Sequence, residues 1–227
     1  MTANFSQLRA MVFDAYGTLF DVGSAVAACD DMAPPQRTAL AALWRDKQLQ
    51  YTWLRGLQKR HAGFDQVTAE ALDYALEATG LANPERRQRL LALYQTLTSY
   101  PEVPQALAAL KARGLATAIL SNGTPDMLRA AVEHAGIGHL LDHVLSVEEV
   151  GVFKPAPEVY QLAVDRLGLR REEIGFVSAN GWDAYAASAF GFQVVWCNRA
   201  GQPVERLPGV PRHVIHSLAE LPLLMAA

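Results

Sequence analysis

Short apolar runs, each closing on a polar or glycine residue, recur along the chain and predict the strands of a sheet buried on both faces. Met11-Val12-Phe13 ends at Asp14, and Leu115-Ala116-Thr117-Ala118-Ile119-Leu120 ends at Ser121-Asn122-Gly123. Ile174-Gly175-Phe176-Val177-Ser178, Gln193-Val194-Val195-Trp196-Cys197 and His213-Val214-Ile215-His216 follow. Helical patterns lie between them. Thr124 predicts an N-cap, with Pro125 at the first helical position, Asp126 in the first turn and Gly136 just past the end. Further helices are predicted to begin near Pro155 and Trp182, and Ser217 to cap a last one. Strand and helix in this rhythm predict an α/β fold with a doubly wound parallel sheet.

Residues 21–98 break the rhythm. They hold almost no β-branched runs and much Ala, Leu, Gln and Arg, as in Thr38-Ala39-Leu40-Ala41-Ala42-Leu43-Trp44-Arg45. Several helices and no strand are expected. The segment follows the first strand directly, so it reads as a helical cap subdomain inserted into a Rossmann-like core made of residues 1–20 and 99–227. A cap over the carboxyl edge of the sheet would close that edge from water.

Composition narrows the class. A chain of 227 residues, 51% apolar and 19% charged, suits one core with an insertion rather than a disordered protein. Its formal charge of −3 carries no basic excess, which speaks against a nucleic-acid partner. With no 18-residue apolar run and no basic-then-apolar start, neither a membrane span nor a secretion signal is expected. Cys29 and Cys197 are too few and too isolated for a disulfide framework. A reducing, cytoplasmic setting is predicted. His139 and His143 have the i, i+4 spacing of a metal pair, but no acid cluster accompanies them, and no metal site is predicted.

The candidate chemistry sits where predicted strands end. Asp14 and Thr18 follow the first, and Ser121 and Asn122 the second. Lys154 precedes Pro155, and Ser178, Asn180 and Asp183 close the 174–178 strand. In a doubly wound sheet such ends converge on one crevice. A desolvated carboxylate is a competent nucleophile, and a nearby ammonium keeps it ionised, lowering an Asp by about 1–3 pKa units. Lys154 is the candidate cation for Asp14. Thr18, Ser121 and Asn122 can donate hydrogen bonds to anions without adding charge. Asp183 can hold or deprotonate a water, or hold Lys154 in place. Each residue also has a plain alternative. Asp14 can cap a loop, Arg45 can be a solvated helix arginine, and Lys154 an exposed loop lysine. Ser178 and Asn180 can cap a helix, and Tyr16, Phe64 and Trp182 can be packing.

Several segments together resemble the haloacid dehalogenase superfamily, and within it the L-2-haloacid dehalogenases. They are Phe13-Asp14-Ala15-Tyr16-Gly17-Thr18-Leu19-Phe20-Asp21, Trp44-Arg45-Asp46-Lys47-Gln48-Leu49-Gln50-Tyr51, Ser121-Asn122-Gly123, Lys154-Pro155 and Ser178-Ala179-Asn180-Gly181-Trp182-Asp183. The likeness spans nearly the whole chain, and the second and last segments are the specific ones. Phosphatases of the superfamily carry an acid two places after the nucleophile, where Tyr16 stands. They also carry two acids four apart for Mg²⁺, where Ala179 faces the first and only Asp183 remains. Phosphoryl transfer loses its proton donor and its electrophile under those changes, whereas displacement at carbon needs neither.

The resemblance implies a hydrolase, an (S)-2-haloacid dehalogenase, that converts short L-2-haloalkanoic acids and haloacetates to D-2-hydroxy acids. It implies an Asp14 ester, no cofactor, no metal and a homodimer. Asp14 would attack C2, and Arg45 and Asn122 would receive the halide. Ser121 would hold the substrate carboxylate, and Asp183 would activate the water. Thr18, Lys154, Ser178 and Asn180 would order the nucleophile and the developing oxyanion. Tyr160 would orient the charged groups, and Tyr16, Leu49, Phe64 and Trp182 would wall the alkyl group. Asp46 departs from the pattern, standing where an uncharged polar residue such as Gln is expected. Two other readings stay open: a Mg²⁺-dependent phosphatase of the same superfamily, and a catalytically silent binding module.

Overall fold

The computed structural model describes residues 5–225. Six parallel strands form one sheet: β1 (Ala10–Phe13), β2 (Ala116–Ser121), β3 (His143–Ser146), β4 (Ile174–Ser178), β5 (Gln193–Cys197) and β6 (His213–Ile215), in the order β3-β2-β1-β4-β5-β6. The chain winds outward from β1 to β3, then returns to pair β4 on the other side of β1. The strand order reverses there, and the crevice beyond the carboxyl ends of β1 and β4 is where such sheets bind ligands. Register brings the ends level. Phe13 pairs with both Ile119 and Val177, and the Asp14 amide extends the ladder to the Val177 carbonyl at 2.9 Å.

Every residue of β1 and of β4 is buried, the pattern of central parallel strands covered on both faces. Helices α5 (Val103–Ala112) and α7 (Pro157–Leu167) both pack on β2; α5 also meets α9 (Leu221–Leu224), and α7 meets α8 (Gly181–Phe190). Helix α6 (Pro125–His134) begins as expected, with Thr124 Oγ1 accepting from the Met127 amide at 3.3 Å, and Gly136 follows it at φ +65°. Helix α7 starts at Pro157, two residues past Pro155. The residue before a proline is pushed out of the helical region, and Ala156 is accordingly extended at ψ 134°. Helix α8 starts at Gly181, and Ser217 caps a 3₁₀ turn, Leu218–Glu220, that runs into α9.

Residues between β1 and β2 carry α1 (Gly23–Ala27), α2 (Pro34–Gln58), α3 (Phe64–Ala78) and α4 (Pro84–Gln95) and, among them, no strand. The ends of this insertion lie side by side: the Asp21 amide donates to the Thr98 carbonyl at 2.9 Å and the Tyr100 amide to the Leu19 carbonyl at 3.0 Å. Two elements had no expectation in the sequence. Helix α5 is one, and β3 is the other, an edge strand whose first two positions are not buried. No helix among the described residues is long and apolar enough to cross a membrane.

Candidate active site

The loop after β1 folds back on itself. Gly17 takes φ +88°, which a side chain would strain, and this turn lets Thr18 Oγ1 donate to Asp14 Oδ2 at 2.9 Å. The same hydroxyl accepts from the Ala179 amide at 2.8 Å, tying the β1 loop to the β4 loop. Asn180 Nδ2 donates to Asp14 Oδ2 at 2.8 Å and to the Tyr16 carbonyl at 3.1 Å. Asn180 occupies the N-cap position of α8, yet its side chain makes no cap hydrogen bond, because it turns to Asp14 instead. Between capping the helix and serving the site, its side chain does only the second. Ser178 Oγ accepts from the Asn180 amide at 3.2 Å and so braces that loop.

Lys154 is 1% exposed and its Nζ lies 3.0 Å from Asp14 Oδ1 and 2.9 Å from Asp183 Oδ2. The Tyr160 hydroxyl donates to Asp183 Oδ1 at 2.7 Å. Asn122 Oδ1 accepts from the Lys154 backbone amide at 2.9 Å, fixing the lysine's loop and leaving the NH₂ end of Asn122 as a donor. Electrostatics follow from this packing. Burial alone would pull the Lys154 ammonium down, but Asp14 and Asp183 together hold it above the ordinary lysine value. Burial pushes the Asp183 carboxyl up, and Asp14 adds to this, against the opposing pull of Lys154. Burial, reinforced by Asp183, drives the Tyr160 phenol well above its usual value, so it stays a donor.

The remaining expected residues divide. Arg45, on α2, donates through Nη2 to Asn180 Oδ1 at 3.1 Å, and so joins the cluster. Ser121 Oγ, at the end of β2, accepts from the Gly123 amide at 3.1 Å. A Cβ on Gly123 would stand 2.8 Å from Tyr16 Cε2, so the glycine makes room for the Tyr16 ring. Tyr16 meets Phe64 at 5.7 Å and stacks on Tyr94 at 5.6 Å between ring centres. Burial pushes its phenol well above the usual value, helped by Tyr94 and Asp14. Leu49 is half-buried on α2, next to Gln48. Trp182 packs edge-on against Trp53 at 5.5 Å and lines a largely apolar groove of about 670 Å³ with Pro155, Tyr160 and Phe190.

Three neighbours carry no expected role from the sequence. Gln48, Thr68 and Tyr94 form a buried hydrogen-bonded group beside Arg45. Only Gln48 left a signal, a polar residue three positions after Arg45 in the buried stripe Leu40, Trp44, Gln48, Thr52. Among the described residues, no group of three or more His, Cys, Asp or Glu side chains is gathered to hold a metal ion.

A parallel sheet with an Asp-Lys-Asp cluster at its carboxyl edge fits the model of haloacid dehalogenase-like hydrolases, which matches residues 8–191, and that is the class to which the fold and site point. The chain is 47% identical over 219 residues to (S)-2-haloacid dehalogenase 1 of Pseudomonas sp. (strain CBS-3), covering 96% of each. It is 44% identical over 215 residues to an (S)-2-haloacid dehalogenase of Pseudomonas putida, covering 94% of this chain and 95% of that one. Its fold matches the L-2-haloacid dehalogenase of Xanthobacter autotrophicus, solved with chloropropionic acid covalently bound, at a TM-score of 0.90 and 38% identity, covering 97% and 99% of the two chains. The chain belongs to the L-2-haloacid dehalogenase family of the haloacid dehalogenase superfamily.

Proposed function

We propose that this site hydrolyses short L-2-haloalkanoic acids and haloacetates, giving D-2-hydroxy acids from the chiral substrates through an ester on Asp14, without a metal ion. One observation carries the reading: the Lys154 ammonium lies between Asp14 and Asp183, within 3.0 Å of each. It supplies the positive charge that a bridging divalent ion would bring, while Ala179 stands where an acidic ligand would be needed and Tyr16 where a proton-donating acid would be.

The geometry suggests which oxygen reacts. Asp14 Oδ2 accepts from both Thr18 and Asn180, whereas Oδ1, among the described residues, accepts from Lys154 alone and keeps a lone pair for attack. Oδ1 attacks C2 in line with the carbon–halogen bond, which breaks with its electron pair leaving on the halide. The centre inverts. Arg45 and the NH₂ end of Asn122 receive the halide; a guanidinium suits this because it stays charged when desolvated. Ser121 and loop amides hold the substrate carboxylate. Water then attacks the Asp14 carbonyl carbon and Asp183 takes the proton. Lys154, Thr18, Ser178 and Asn180 order the oxyanion and its loop until the hydroxy acid leaves and Asp14 is restored. Tyr160 holds Asp183, and Tyr16, Leu49, Phe64 and Trp182 wall the alkyl group. The covalently bound chloropropionic acid in the Xanthobacter relative supports an ester of this kind.

In this reading residues 21–98 form a cap that delivers Arg45, residues 1–20 and 99–227 form the core, and the protein works as a cytoplasmic homodimer. Light scattering on the purified protein tests the dimer. Halide release from L-2-chloropropionate with excess chelator tests the chemistry, and the D enantiomer should be poor. Mg²⁺-dependent turnover of p-nitrophenyl phosphate with no halide release would overturn it.

A further inference from the structure

Gln48 has no part in the chemistry described above, yet it is 1% exposed, in a stripe where an apolar side chain would serve packing better. A buried amide is tolerated only if its groups are hydrogen-bonded. Its Nε2 donates to Thr68 Oγ1 at 2.7 Å and to the Tyr94 hydroxyl at 3.2 Å, and its Oε1 accepts from Arg45 Nη1 at 2.6 Å.

Thr68 decides which way the amide faces. Its hydroxyl hydrogen goes to the Phe64 carbonyl at 2.6 Å, so toward Gln48 it can only accept. The amide must therefore present its NH₂ to Thr68 and its carbonyl to Arg45; reversed, it would set acceptor against acceptor at Thr68 and donor against donor at Arg45. The guanidinium is then held at two points, Nη1 by Gln48 and Nη2 by Asn180 Oδ1, and two points fix the plane of a flat group.

We propose that Gln48 is a positioning residue that sets the plane of the Arg45 guanidinium at the reaction site, with Thr68 dictating its orientation. The proposal rests on the halide-receiving role given to Arg45. It predicts an effect on carbon–halogen cleavage that depends on the leaving group and vanishes without Arg45.

Gln48→Met keeps the length and removes both hydrogen-bonding ends. A misplacement near an ångström costs up to roughly a hundredfold, so the halide burst from L-2-chloropropionate should slow about tenfold with KM within about twofold. L-2-bromopropionate, with its better leaving group, should lose less. In an Arg45→Ala background the same substitution should change the burst by less than about twofold, because the group it positions is gone. An equal loss in both backgrounds, or no loss at all, overturns the proposal. Thr68→Val, which frees the amide to turn, keeps the test open if Gln48→Met does not fold. It should show the same leaving-group pattern with a loss of about threefold, and equal losses for chloride and bromide overturn the proposal. No halide release by the unmodified enzyme brings down the functional reading, and this proposal with it. Normal release with Gln48→Met indifferent brings down this proposal alone.

Discussion

The two sides of the site are built differently. At the sheet edge, Asp14 follows β1 directly, Asp183 sits in the first turn of α8 just after β4, and Lys154 lies in the loop between β3 and α7. Each is almost fully buried, and the carboxylate oxygens of both acids have fixed partners from Thr18, Asn180, Lys154 and Tyr160. On the helical side, Arg45 rides on a helix of 25 residues, is only half-buried, and meets the sheet residues of the site through a single hydrogen bond to Asn180. Asp14 is fixed by the fold itself; Arg45 opposite depends on side chains from three helices. Removing Lys154 should therefore disturb stability and chemistry together, and removing Arg45 chemistry alone.

Asp14→Asn is the largest expected effect. An amide oxygen is a poor nucleophile, so turnover should fall to background with the fold retained; residual halide release above the uncatalysed rate would break the assignment. Lys154→Met comes next. It leaves two buried carboxylates without their cation, which typically destabilises by about 3–5 kcal/mol. A fall in melting temperature at pH 7 that shrinks at lower pH, as a carboxyl takes up a proton, would sharpen the contrast. An equal fall in Arg45→Ala would erase it.

Asp183→Asn should slow ester hydrolysis and let an alkylated protein accumulate, visible as a mass increase on Asp14. Its absence would remove Asp183 from the role of base. The smallest effect is expected for Tyr160→Phe. The phenol's hydrogen bond helps hold down a carboxyl that burial pushes up. Hydrogen bonds to charged groups are worth about 1.5–3 kcal/mol, so losing this one should move the acid limb of kcat upward by about one to two pH units. With its pKa raised, Asp183 should lose activity as pH falls through a value above the usual carboxylate range near 3.9. Lys154 works the other way. Its folded value is also raised, so its stabilisation is complete below the unfolded lysine value near 10.4 and is lost as pH rises through the folded one.

The sheet side was also the legible side of the sequence. Central parallel strands are covered on both faces, so they appear as unbroken apolar runs, and the polar residue after each run falls at the crevice. Asp14, Ser121 and Ser178 could be placed in this way. The edge strand β3 could not, because half of it faces outward and no apolar run marks it. Helix faces hid more. Arg45 looks like any surface arginine until Asn180 is found beside it, and nothing in the spacing says that Asn180 turns from its helix toward Asp14. Tyr94 reaches Gln48 across 46 positions, which no local pattern can reveal. The wall expected around the alkyl group is the least legible: Leu49 and Trp182 share their sequence character with ordinary packing residues.

A single turnover in ¹⁸O water, with enzyme in excess over L-2-chloropropionate, tests the central claim most directly. If Asp14 bonds to the substrate carbon and water then attacks the aspartyl carbonyl, the hydroxy acid carries ordinary oxygen and the label appears on Asp14. Label in the first-turnover product, with Asp14 unlabelled, would mean that water attacks the substrate itself and would contradict the account.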